Sequence, residues 1–122
     1  MKSNEMAIYE YNGNPISVDK IEKGYMINAT QMAKPFGKLV GDWLRLKATI
    51  EFTNALSIDM QIPISALIQV VKGGNRRQGT WMHEDVALEF ARWLSPKFAI
   101  WCNNRIKELL LTGTTTILKL AA

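Results

Sequence analysis

The chain has 122 residues, 48% of them hydrophobic, and a formal net charge of +4. That is the size of one domain, able to bury a core without staples, and the single cysteine, Cys102, rules out an internal disulfide framework. No stretch approaches the roughly 18 consecutive apolar residues of a membrane span, and MKSNEMAIYEYNG at the N-terminus has no apolar run of signal-peptide type, so the expected home is a cytosol, with no membrane partner.

Residues 6–18, MAIYEYNGNPISV, predict a hairpin turning at Asn12-Gly13, with Pro15 at the start of its second strand. Gly24 breaks the chain, and Tyr25-Met26-Ile27 is strand-like. Asn28 is placed to cap a helix, with Gln31 three residues on in a capping-box arrangement. That helix carries Ala29, Met32, Ala33 and Phe36 and stops at Gly37, and Pro35 should kink or shorten it. A second short helix is expected over DWLRLKAT, with Trp43, Leu44 and Leu46 inward and Arg45 and Lys47 outward. Thr49 is then expected to cap a third helix, TIEFTNALS, that turns Ile50 and Ala55 or Leu56 inward. Pro63 makes SIDMQIPIS a loop.

A second hairpin follows, with strands near Ala66–Val71 and Gly79–Met82 and KGGNRRQ at its tip. His83-Glu84-Asp85 opens a helix whose first turn is acidic, as the helix dipole favours, with Val86, Phe90, Trp93 and Leu94 on its buried face. Ser95-Pro96 restarts the chain as N-cap and first helical residue. The last helix carries Phe98, Trp101, Cys102, Ile106, Leu109 and Leu110 and is expected to end at Thr112-Gly113. The remaining TTTILKLAA has strand propensity and no assigned place. Strands and helices in this order describe one α+β domain.

Catalytic and metal chemistry lack candidate residues. One histidine and one cysteine cannot supply the about four ligands of a structural zinc site. His83 sits at a helix start, where a capping or surface role is expected, and Cys102 lies on the apolar side of a helix as a core thiol. Glu84 and Asp85 adjoin but point in different directions, and Gly73-Gly74 is not followed by the Lys-Ser/Thr of a phosphate-binding loop. A non-enzymatic protein with no cofactor is therefore expected.

Charge is localised. From Met60 to His83 there is no Asp or Glu, and Lys72, Arg76 and Arg77 fall inside that window. A polyanion partner requires such a concentration, and a solvated basic loop would also produce it. A turn serving only to reverse the chain needs Asn-Gly or Asp-Gly and no cations. On a two-stranded ribbon reaching a DNA groove, Lys72, Arg76 and Arg77 could neutralise phosphates, while Asn75 and Gln78 match adenine edges and arginine matches guanine. Gly73, Gly74 and Gly79 allow close approach or φ > 0. Upstream, the short helices Ala29–Phe36 and Asp42–Ala48 are spaced as a helix-turn-helix, with Lys34 and Lys38 flanking phosphates and Arg45 and Lys47 facing a groove. Together these outline a winged helix-turn-helix with a small N-terminal β-hairpin, a β-hairpin wing and two C-terminal packing helices.

The stretches GYMINATQMAKPFGKLVGDWLRLKAT and LIQVVKGGNRRQGTWMHEDVALEFARWLSPKFAIWCNNRIKELLLTG resemble the KilA-N domain of bacterial viruses and large DNA viruses. The carrying motifs are Ile27-Asn28-Ala29-Thr30, Asp42-Trp43-Leu44-Arg45, Gly73-Gly74-Asn75, Gln78-Gly79-Thr80-Trp81 and Leu94-Ser95-Pro96-Lys97-Phe98. The family is similar in turn to the APSES domain of fungal transcription factors. The resemblance implies a DNA-binding domain over 1–113, with its motif core at 24–113 and a tail at 114–122. Its DNA face would comprise Lys34, Lys38, Arg45, Lys47, Lys72, Gly73, Gly74, Asn75, Arg76, Arg77 and Gln78, with Trp81 anchoring the wing from beneath. It further implies a phage or prophage regulatory, antirepressor-like protein in the cytoplasm of a bacterial host, with double-stranded DNA as partner. The alternative is a module that captures a repressor or host protein. Two features depart from the family pattern: Pro35 replaces a helix former, and Lys38-Leu39-Val40-Gly41 is less basic than in many relatives.

Overall fold

The computed structural model of the chain describes residues 6–74 and 77–121, with side chains described over 7–74 and 77–111. Three strands, β1 (Met6–Tyr11), β2 (Asn14–Ile21) and β3 (Gly24–Asn28), form an antiparallel meander. The first turn is as Asn-Gly dictates: Asn12 and Gly13 both take positive φ, 52° and 81°, between the paired Tyr11 and Asn14. Pro15 lies in the part of β2 that pairs with β1 and that β3 does not reach.

Helix α1 (Ala29–Ala33) passes into a 3-10 turn at Lys34–Phe36 and ends at left-handed Gly37. Pro35 thus shortens the α-helix, having no N–H to continue the ladder. The capping box forms by half. The Gln31 N–H donates to Asn28 Oδ1 at 3.0 Å, but Gln31 Oε1 accepts instead from the Ser17 N–H at 2.6 Å. The β2–β3 pairing begins only at Val18, so the Ser17 N–H lies beyond it and takes a side chain as its partner.

The expected helix over Asp42–Thr49 does not form. Helix α2 (Val40–Leu44) ends at Arg45, Leu46 is extended, and α3 runs over Lys47–Met60. The core explains the break. Trp43 is buried 5.2 Å from the Phe90 ring centroid, and Phe52, nine residues on, also packs against the core. At about 100° per residue those two side chains would face opposite ways on a continuous helix. Thr49 therefore lies within α3, where Thr49, Phe52, Thr53, Leu56 and Met60 make the inward stripe, while Ile50 and Ala55 are exposed. The expected loop after Leu56 is also shorter. The helix persists to Met60, Gln61 closes it at φ 58°, and Pro63 sits at the N-cap of α4 (Ile64–Leu67), where a missing N–H is tolerated.

Strand β4 (Ile68–Val71) starts later than expected, because Ala66 and Leu67 belong to α4. With β5 (Gly79–His83) it completes one antiparallel sheet of order β1-β2-β3-β5-β4. The hairpin, expected as a two-stranded ribbon, is thus part of the sheet, with β4 as its edge strand. Helices α5 (Glu84–Leu94) and α6 (Pro96–Ala121) cover one face. There Ile16, Val18, Tyr25, Ile27 and Met82 join Met32, Phe90, Phe98 and Leu109 in a single core. On the other face Met26, Trp81 and His83 are buried as well. The Phe98 N–H donates to Ser95 Oγ at 3.3 Å, completing the Ser-Pro start of α6. That helix does not stop at Gly113. A lone glycine costs a helix about 1 kcal/mol relative to alanine, which weakens a long helix without ending it. The last residues extend the helix one hydrogen bond at a time, where a strand would need a sheet edge to join.

Candidate nucleic-acid interface

Val71 and Gly79 are the last paired residues of the β4–β5 hairpin, and residues 72–78 span its tip. Lys72, Arg77 and Gln78 are exposed. Gly73 and Gly74 take φ of 139° and 83°, with open space where side chains would stand. Asn75 and Arg76 lie outside the described residues. The tip is rooted from beneath, as the resemblance implied. Trp81, 1% exposed, donates its indole N–H to the Arg77 carbonyl at 2.9 Å.

The second root is the N-terminal end of α1. Asn28, fully buried in the register position opposite Trp81, accepts the helix-capping bond at Oδ1 and donates from Nδ2 to the Gln78 carbonyl at 3.0 Å. Thr30 Oγ1 accepts from the Thr80 N–H at 3.0 Å. Gly79 passes between, at φ 132°, and a Cβ there would lie 2.9 Å from Asn28 Oδ1 and 3.1 Å from Thr30 Oγ1. The Asn-Ala-Thr and Gln-Gly-Thr-Trp motifs, some 50 residues apart, are therefore two halves of one joint. Asn28 was legible as a cap, and its second role could have been suspected, since a buried amide needs partners at both ends. Nothing local marks Thr30.

Among the expected cations, Lys34 opens the 3-10 turn that continues α1, four residues beyond Thr30, and both residues are exposed. No ion pair among the described residues occupies Lys34, Lys72 or Arg77. Lys38 is used differently. Its ammonium donates to the Trp93 carbonyl at 3.2 Å and lies 4.5 Å from the centroid of the Trp93 ring, closing the C-terminal end of α5 where the helix dipole favours a cation. Arg45 and Lys47 do not share the expected helix face, because the α2–α3 break separates them. Arg45 pairs with Asp42, and Lys47 Nζ lies 3.9 Å from Glu51. Both pairs are exposed and of the kind worth about 0–1 kcal/mol, so a phosphate could displace either carboxylate.

Next to this joint, His83 is buried and caps α5 by accepting from the Asp85 N–H at 3.2 Å at Nδ1, so the capping role holds and the surface role does not. Glu84 Oε1 accepts from the Tyr25 N–H at 2.8 Å, and burial raises its pKa. Burial likewise pushes the Cys102 thiol up to about 12, consistent with a core cysteine. Among the described residues no cluster of His, Cys, Asp or Glu could hold a metal ion, and no helix is long and apolar enough to cross a membrane.

The sequence profile of the KilA-N domain matches residues 9–111, from β1 into α6. KilA-N domain-containing protein 006L of Invertebrate iridescent virus 6 is 32% identical over 101 residues, which cover 75% of this chain and 27% of the viral protein. The chain thus spans about a quarter of the length of that curated relative. No solved structure matches it. A profile covering nearly all of the described fold, including both halves of the joint between α1 and the β4–β5 tip, places the chain in the KilA-N domain family.

Proposed function

We propose that the chain is a non-catalytic domain that binds double-stranded DNA, with the β4–β5 hairpin as a wing and the exposed side of α1 beside it. Lys34, Lys72, Arg76 and Arg77 neutralise backbone phosphates. Arg77 and Gln78 are the described tip residues able to reach base edges, as Asn75 is among those outside the described residues. The observation that carries this reading is the joint itself: the bonds of Asn28 and Thr30 to residues 78 and 80 tie the base of the acid-free, glycine-rich loop to α1, which runs into the 3-10 turn opened by Lys34. A polyanion partner requires positive charge gathered from neighbouring elements, and the joint links the two elements that carry these cations. Arg45 and Lys47, on either side of the α2–α3 break, add a secondary electrostatic contribution. The biological setting that fits is a regulatory, antirepressor-like protein of a phage or prophage, acting in the host cytoplasm.

Binding of a labelled random duplex, followed by fluorescence anisotropy across salt concentrations, tests the proposal. Four neutralised phosphates give a log–log slope of about −3.6, at about −0.9 each. A flat salt response, or no binding at low salt, rules the reading out. Capture of a protein partner that survives nuclease and high salt would favour the repressor-binding alternative. Selection from random duplex DNA then separates base readout from shape readout.

A further inference from the structure

Residues 72–78 span the glycine-rich tip, beyond the last paired residues Val71 and Gly79. A Cβ added at Gly73 or Gly74 would meet nothing within 4 Å, and no ion pair among the described residues restrains Lys72 or Arg77. The described bonds act on the C-terminal leg of the tip, residues 77–80. That leg is held at three successive points: the Arg77 carbonyl by the Trp81 indole, the Gln78 carbonyl by Asn28 Nδ2, and the Thr80 N–H by Thr30 Oγ1. Two of these three bonds come from the first turn of α1. Gly79 is pressed against the same two side chains.

We infer that Asn28 and Thr30 are positioning residues that aim the tip, so that the cations on it meet DNA in a fixed orientation relative to α1. Neither residue needs to touch the nucleic acid. Asn28 is fully buried, and both of its amide groups are in use. The Thr30 hydroxyl oxygen accepts from the Thr80 N–H. The geometry of this latch stands by itself. Its consequence for affinity rests on the DNA-binding reading above.

Two variants cut the latch while sparing the fold. Thr30→Val removes the acceptor at an exposed site and preserves side-chain shape. Asn28→Ser keeps an oxygen able to cap α1 and deletes the donor to Gln78. Thr30→Ser restores the hydroxyl and serves as the rescue.

The first arm uses hydrogen exchange by NMR on DNA-free protein. The Thr80 amide and Trp81 indole protons should exchange at least about tenfold faster in Thr30→Val and Asn28→Ser, and return to parental rates in Thr30→Ser. Unchanged exchange in both variants overturns the latch, whatever the protein binds. The second arm measures duplex affinity with and without Arg77→Ala. Cutting the latch should weaken binding about three- to tenfold and lower the salt slope by about one, at an unchanged unfolding midpoint for Thr30→Val. Arg77→Ala should then have a clearly smaller effect in the latch variants than in the parent, because a misdirected tip has already lost that contact. Equal effects of Arg77→Ala in both backgrounds overturn the positioning role. A parent that binds no duplex overturns the DNA-binding reading and the positioning role with it, while the exchange arm still judges the latch.

Discussion

Gly73 and Gly79 have nearly the same φ, 139° and 132°, and differ in what surrounds them. Alanine at either position meets the same conformational strain, about 1–3 kcal/mol for a non-glycine residue held in that region. At Gly73 the new methyl enters open space, and the tip can relax, so the strain is an upper bound there. At Gly79 the methyl would lie 2.9 Å from Asn28 Oδ1 and 3.1 Å from Asn28 Nδ2. Asn28 is fully buried and is held by bonds at both ends, so it cannot swing away without leaving a polar group unpaired. Losing such a partner costs about 1–3 kcal/mol. Gly79→Ala should therefore destabilise the domain by about 1–3 kcal/mol more than Gly73→Ala, a large part of the 5–15 kcal/mol of an ordinary domain. Urea unfolding followed by tryptophan fluorescence measures it. At a slope of about 1–3 kcal/mol per molar, the two midpoints should differ by roughly 1 M. Coincident midpoints would show that the α1–tip joint is not rigid and that Asn28 yields freely.

Phe90→Ala removes a fully buried ring that stands 5.2 Å from Trp43 and 5.9 Å from Trp93, and should cost about 3–5 kcal/mol in the same urea assay. Glu84 has its folded-state pKa raised above the ordinary 4.5, mainly by burial. Its contribution to stability is therefore fully present below that value and is lost as pH rises through the raised pKa. Glu84→Gln keeps an oxygen for the Tyr25 N–H and should flatten that part of the pH–stability curve, and an unchanged curve refutes the assignment. With its thiol pushed up to about 12, Cys102 should resist a disulfide exchange reagent at pH 8 in the folded protein and react promptly in denaturant.

Several elements were readable because their signals are local. Asn12-Gly13 fixed a turn by its φ requirement, Pro35 shortened α1, and Ser95-Pro96 started α6. The basic window from Met60 to His83 located the tip without any structure. Where expectation failed, the deciding partner was distant in sequence. The α2–α3 break came from the need to bury both Trp43 and Phe52 against one core, and the local pattern of DWLRLKAT contains no stop signal. The bond from Lys38 to the Trp93 carbonyl, 55 residues away, likewise has no local signal. Gln31, in a capping-box position, does not close its own helix cap and accepts instead from the Ser17 N–H of β2.

The sequence by itself determined an α+β domain with a family-specific set of motifs and a basic window free of acidic residues, because composition, turn chemistry and capping act over a few residues. Only the tertiary structure decided that Asn28 and Thr30 meet residues 78–80, since the joint is made by the pairing of β3 with β5. Strand pairing brings distant residues together through backbone hydrogen bonds that every residue but proline can make, and so leaves little trace of its partner in the sequence.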